Sequence, residues 1–161
     1  MLDNLLIGRH SRGGFKPLRE LLFAGGQLEQ ELAHRHKAEE VIEFLDLQAH
    51  RHARVSDLPY GIRKKIEIAR ALVAGPELLL LDEPSSGLTT EETTDIAFWI
   101  EDIKEDLGIT VVMIEHDMKL VNKVSDKVLA IAEGRFLAEG TAKEVQDNQD
   151  VQHAYLGTGH D

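Results

Sequence analysis

Four consecutive leucines, Leu78 to Leu81, run straight into Asp82-Glu83-Pro84, and Gly75-Pro76 closes the segment before them. A run this short and apolar at every position predicts a strand covered on both faces, as in a parallel sheet, because a half-buried strand would alternate and a helix would be longer. Ile109 to Ile114 repeats the pattern and runs into Glu115-His116-Asp117. Helical segments alternate with these strands. Gly61 to Ala74 sets Ile62, Ile66, Ala69 and Val73 along one stripe. Thr89 with Glu92 forms a capping box that opens a helix with Ile96, Trp99, Ile100, Ile103 and Leu107 inward, closed by Gly108. Asp117 caps a short helix carrying Leu120, Val121 and Val124. Lys127 to Ala132 makes a third strand, Glu133-Gly134 turns it into a partner at Arg135 to Glu139, and Thr141 with Glu144 caps one more helix. Strand and helix in alternation predict an α/β fold with a mostly parallel sheet.

The first third of the chain is patterned differently. From Met1 to about Val55 it reads as helix throughout. Leu2, Leu5 and Leu6 make a short apolar face; Gly13-Gly14 and Pro17 interrupt it before a second short helix with Leu18, Leu21 and Leu22. A longer helix is expected after Gly25-Gly26, its stripe running through Leu28, Leu32, Arg35, Ala38, Val41, Ile42 and Leu45. The expected organisation is an all-helical subdomain over 1–57 and an α/β part over 58–161.

Length and charge narrow the functional classes. At 161 residues the chain has room for one core, and 18 Lys and Arg against 29 Asp and Glu give a net charge of −11. Such a balance disfavours wrapping nucleic acid or holding an anionic membrane by charge alone, so no nucleic-acid partner is expected. With no cysteine, disulfide frameworks and thiolate metal sites are out. No stretch approaches the ~20 apolar residues of a membrane span.

In an open parallel sheet, reactive groups collect past the carboxyl ends of strands. Two strands here end in ionisable residues, at Asp82-Glu83 and at Glu115-His116-Asp117. An acidic pair leaving an apolar strand is costly unless something pairs with it, and a hard cation with phosphate oxygens would do so. Asp82 can then hold Mg²⁺, Glu83 can orient or deprotonate a water, and His116 can meet a terminal phosphate. The same residues also suit plain polar loops at strand ends. Tyr60-Gly61 likewise admits two readings: a helix N-terminus open to an anion, or a turn before a helix.

The run LPYGIRKKIEIARAL at 58–72, LLLLDEP at 78–84, SSGLTT at 85–90 and VVMIEHDM at 111–118 resembles the nucleotide-binding subunits of ABC transporters, with signature loop, Walker B strand, D-loop and switch histidine in order. LPYG, EHDM and the terminal HAYLG at 153–157 resemble most the subunits of branched-chain amino acid importers. LDNLLIGRH at 2–10 resembles the opening of that family's helical subdomain. The resemblance implies a P-loop NTPase-like α/β fold and an ATP-hydrolysing subunit that uses Mg²⁺. Asp82 would hold the metal, and Glu83 and His116 would act on the hydrolytic water and the γ-phosphate. Pro59, Tyr60 and Gly61 would contact ATP bound by a second subunit in a head-to-tail dimer, with Ser86 and Gly87 at the same seam. It further implies transmembrane permease partners and a cytoplasmic place on the inner face of the membrane.

The phosphate cradle G-x-x-x-x-G-K-[ST] is absent from the sequence. Gly8 to Lys16 has the wrong spacing and follows a helix. The chain therefore looks like the C-terminal two-thirds of a subunit, inactive alone. The strand feeding the cradle would lie between the strand ending at His116 and that at 127–132, so the sheet is expected to be incomplete there. Pro59 stands where the signature commonly has serine, Ile62 where it has glutamine, and Thr89 where the D-loop usually ends in an acid. Besides the importer subunit, a non-catalytic partner-binding module remains open. A ribosome- or DNA-acting ATPase would need basic arms or a long coiled coil, and the sequence has neither. His34 with His36 and His50 with His52 suit solvated surface better than metal, Arg63, Lys64, Lys65 and Arg70 suit the polar face of one helix, and Trp99 and Phe98 suit core and rim.

Overall fold

The computed structural model describes residues 1–10 and 24–156, and the short helix expected around Leu18 to Leu22 lies outside them. Its elements run α1 (Leu2–His10), α2 (Ala24–Phe44), α3 (Tyr60–Val73), β1 (Leu78–Asp82), α4 (Thr90–Glu105), β2 (Thr110–Ile114), α5 (Met118–Val124), β3 (Val128–Ala132), β4 (Arg135–Gly140), α6 (Ala142–Gln146) and α7 (Gln149–Leu156). Two single-turn 3-10 helices, Gln48–His50 and Val55–Asp57, link α2 to α3. The chain divides into two compact units, Met1–Leu81 with Asp102–Val112, and Asp82–Glu101 with Met113–Asp161.

The first unit is built on helices. α1 packs on α2 and α3, and α2 on α3. Leu5, Ala38, Ile42, Leu45, Leu47, Ile66, Ala69 and Leu72 are all buried to within a few per cent. Each large aliphatic side chain so buried contributes about 1.5–3 kcal/mol over leaving it in water. α1 and α3 approach so closely at Gly8 that a Cβ there would stand 2.3 Å from the carbonyl oxygen of Arg70, which only glycine permits. The N-terminal amine of Met1 donates to the Ala53 carbonyl at 2.8 Å, and the Leu2 N–H to Arg51 at 3.3 Å. Arg51 in turn pairs with Glu39 of α2.

Three expectations for these helices need correction. α2 takes in Gly25 and Gly26 instead of starting after them, since the ~1 kcal/mol helix cost of each glycine stops a helix only where nothing else continues it. Leu32 is 57% exposed, so among the described side chains, which do not include that of Leu28, the buried stripe of α2 begins at Ala38. Lys65 leaves the polar face and is 7% exposed, because the buried side of α3 is broad enough to take Gly61, Lys65, Ile66, Ile68, Ala69, Leu72 and Val73.

β1 and β2 form a two-stranded sheet. The Thr110 N–H bonds the Glu77 carbonyl at 3.0 Å at one end, and the Glu83 N–H bonds the Ile114 carbonyl at 2.9 Å at the other, so the strands run in the same direction. Contrary to expectation, neither strand is covered on both faces. Leu79 is buried, but Leu78, Leu80, Val112 and Ile114 are exposed at 50%, 69%, 52% and 69%. Physically, two strands offer one open face and open edges unless other elements lie against them. Leu107, at 42% exposed, also lies further out than its helical spacing implied, since α4 has ended at Glu105.

The second unit holds the antiparallel hairpin β3–β4, with Val128 opposite Gly140 and Ala132 opposite Arg135. Glu133 and Gly134 both have positive φ, 50° and 73°, as the tight two-residue connection requires. α6 packs on both strands and α7 on β4. The hairpin forms a second, separate two-stranded sheet, so among the described residues β2 and β3 are not neighbours, in agreement with the expected break. Both capping boxes form: Thr89 with Glu92, and Thr141 with Glu144. Asp117 caps α5 by accepting from the Lys119 N–H at 2.8 Å. α7 is an addition to the expected elements, started by the Asn148 side chain accepting from the Asp150 and Val151 N–H groups.

Candidate functional site

The two strand ends meet. Beyond β1 the chain enters a left-handed residue, Glu83 with φ 45°, and then a turn held by Ser86 N–H to Glu83 O and Leu88 N–H to Ser85 O, both at 3.1 Å. Gly87, with φ 76°, completes it. A left-handed glutamate is uncommon and costs of order 1–3 kcal/mol, so something must hold it. Part of the answer is the bond from its own N–H to Ile114 at the tip of β2, which fixes the backbone on which the carboxylate is mounted.

From β2 the chain passes through Glu115 to His116 and into the Asp117 cap of α5. The His116 Nδ1 stands 3.7 Å from Glu83 Oε1, with the two side chains 69% and 51% exposed. That separation is beyond a hydrogen bond, and an exposed pair of this kind is worth at most about 1 kcal/mol. It leaves both groups open to a third one. Asp82 is also exposed, and its side chain has no ion-pair or hydrogen-bond partner among the described residues. Contrary to the expectation that this acidic pair needs a partner to offset burial, both carboxylates remain solvated at an open strand tip, where no desolvation cost demands one.

Sequence reasoning passed over one member of this group. Ser85, 8% exposed, donates its hydroxyl to Glu115 Oε1, and the Asp117 N–H points at the same oxygen from 3.4 Å. Glu115 Oε2 is buried without a partner among the described residues. The only available signal was a carboxylate placed directly before the histidine at a strand end. Asp82, Glu83, Ser85, Ser86, Gly87, Glu115 and His116 all belong to the second unit.

Pro59, Tyr60 and Gly61 belong to the first unit, at the start of α3. The helix opens at Tyr60, one residue before the expected Gly61. No side chain caps it and its first turn carries no acid, so no carboxylate of its own first turn offsets the helix dipole there. Tyr60 is 45% exposed, with Arg63 Cζ and Lys64 Nζ at 5.4 and 5.9 Å from its ring centre. Gly61 is buried.

The family described as ABC transporter matches residues 7–86, and the family described as branched-chain amino acid ATP-binding cassette transporter matches residues 137–161. The chain is 36% identical to the high-affinity branched-chain amino acid transport ATP-binding protein LivG of Escherichia coli strain K12, over 98% of its own length and 62% of LivG. It is 35% identical to BraF of Pseudomonas aeruginosa, a protein of the same description, over 97% of its own length and 61% of BraF. The chain thus spans less than two-thirds of these relatives. A crystal structure of the ADP conformation of an ATP-binding cassette of an ABC transporter superposes with a TM-score of 0.80 at 31% identity, over 97% of this chain and 62% of that one.

Proposed function

Because the chain belongs to the ABC transporter family, we propose that it supplies the signature, Walker B, D-loop and switch-histidine part of an ATP-hydrolysing subunit that drives a branched-chain amino acid importer. The observation that carries this reading is the convergence of Glu83 and His116 at 3.7 Å, on strand tips joined by the Glu83–Ile114 backbone bond. Similarity to LivG and BraF, and the separate match at residues 137–161, support the choice of substrate class.

The donor set fits magnesium carried on nucleotide phosphates. Asp82 and Glu83 offer hard carboxylate oxygens on exposed residues, with no ion pair to a lysine or arginine among the described residues, and Mg²⁺ of this type takes one or two carboxylates with phosphate and water completing its shell. When bound, the ion supplies charge neutralisation at the phosphate oxygens. Asp82 would be its protein ligand. Glu83, mounted on a backbone fixed by its N–H bond to Ile114, would orient a water and accept its proton. His116, whose Nδ1 faces Glu83, leaves its Nε2 for a terminal phosphate oxygen. The uncapped N-terminus of α3, at Pro59, Tyr60 and Gly61, would present its amides to nucleotide held by a second subunit in a head-to-tail dimer, with Ser86 and Gly87 at that seam. We read residues 1–57 as part of the helical subdomain that docks on the transmembrane permeases, which places the subunit at the cytoplasmic face of the membrane. Among the described residues no helix is long and apolar enough to cross it.

The test is a fusion in which the part of LivG that this chain does not span is joined to it in LivG's own order. The fusion is expected to hydrolyse Mg-ATP, and Glu83→Gln to lower kcat by about a hundredfold or more while ATP still binds. The 161-residue chain alone, which has no phosphate cradle, is expected to give no measurable turnover. Robust turnover by the chain alone, or a fusion whose rate ignores Glu83→Gln, overturns the reading.

A further inference from the structure

Glu115 follows β2 and precedes His116, yet its side chain serves the loop that follows β1. Its Oε1 accepts the Ser85 hydroxyl across 30 residues of sequence, and the same oxygen faces the Asp117 N–H at 3.4 Å. One carboxylate oxygen therefore joins the turn holding Glu83 to the turn holding His116. The backbone bond from Glu83 to Ile114 fixes the strand tips themselves. The Ser85–Glu115 bond is a second strut, further along both loops, and it flanks the two side chains whose spacing matters. The first turn is itself braced, by Ser86 N–H to Glu83 O and Leu88 N–H to Ser85 O, both at 3.1 Å, so Ser85 is tied to its neighbours on one side and to Glu115 on the other. Glu115 Oε2 is buried and unsatisfied among the described residues, and an orphaned acceptor of this kind costs stability.

We propose that Glu115 is a positioning residue: acting through Ser85, it couples the Ser85–Gly87 turn to His116, so that displacement of that turn changes the placement of His116 against Glu83. Its meaning for hydrolysis rests on the function proposed above; the coupling itself does not.

The coupling is read by NMR on the 161-residue chain. Ser85→Ala is expected to shift the ring resonances of His116 and the amides of Asp117 and Lys119, far along the sequence, and Glu115→Ala to shift the amides of 85–88. The double variant should move neither set beyond the larger single effect, as members of one unit behave. Glu115→Gln keeps an acceptor for Ser85 and should stay near wild type, which also serves if Glu115→Ala does not fold. Changes from Ser85→Ala confined to 84–88 overturn the proposal. In the LivG fusion, Glu115→Ala should lower kcat about tenfold with KM for ATP nearly unchanged. If Glu83→Gln abolishes turnover and Glu115→Ala leaves kcat intact, the positioning role fails and the hydrolytic reading stands. If Glu83→Gln has no effect, the hydrolytic reading fails and the NMR result alone decides the strut.

Discussion

Glu83 carries a side chain where the backbone favours none. At φ 45° it occupies the left-handed region that glycine enters freely, and the carboxylate itself makes only an exposed, 3.7 Å approach to His116. Strain of this kind persists only where the surrounding structure over-determines it, here through the bond from the Glu83 N–H to Ile114, and it accords with the role proposed for Glu83 above. Glu83→Gly should therefore hold or raise the stability of the chain, by no more than about 1 kcal/mol in urea unfolding, as relief of strain is partly offset by a more flexible unfolded state. A loss larger than that would mean the side chain supports the fold. Asp82 and His116 share this character: they are solvated, weakly held groups on a firmly held backbone.

At the scale of elements, caps decide where helices begin. In α6 the Thr141 N–H and hydroxyl both reach Glu144 Oε2 at 2.8 Å, while the Glu144 N–H donates to the Thr141 hydroxyl. These bonds, first the backbone N–H and then the hydroxyl of Thr141, hold the Glu144 carboxyl below its ordinary value of 4.5. A carboxyl lowered in the folded state contributes stability that is full above its unfolded pKa and disappears as pH falls through the folded one. Protection of the α6 amides from hydrogen exchange should thus be level above the ordinary glutamate range and decline below it. Glu144→Gln keeps the acceptor without titrating and should flatten that decline; an unchanged profile would assign it to other groups.

At the scale of the whole molecule, the open sheet faces stand out. Leu78, Leu80, Val112 and Ile114 on the parallel pair, and Leu129, Ile131 and Phe136 on the hairpin, are all about half exposed or more. Apolar strands with open edges invite self-association. Leu80→Thr and Ile131→Thr should leave unfolding free energy within about 0.5 kcal/mol and raise the concentration at which the chain associates, as sedimentation would report. Leu79→Ala, removing a side chain only 3% exposed, should instead cost about 2–5 kcal/mol. Equal costs at 79 and 80 would show that the face is covered.

Much of this was legible in the residues. Thr89 with Glu92, Asp117, Thr141 with Glu144 and Glu133-Gly134 are local signals, and each set its cap or turn where the spacing placed it, because the bonds involved lie within a few residues. The ordered motifs marked the candidate site for the same reason, each being a continuous stretch of chain. What covers a strand, and what a side chain reaches across 30 residues, has no local signal. Four leucines read as doubly buried, whereas the fold covers only one face of β1; Lys65 read as solvated, whereas the width of the α3 interface buries it. The Ser85–Glu115 strut exists because two parallel strands bring their tips side by side. By itself the sequence determined most of the described elements and which ionisable residues stand at their ends; the tertiary structure decided burial and cross-loop pairing, because both depend on neighbours distant along the chain.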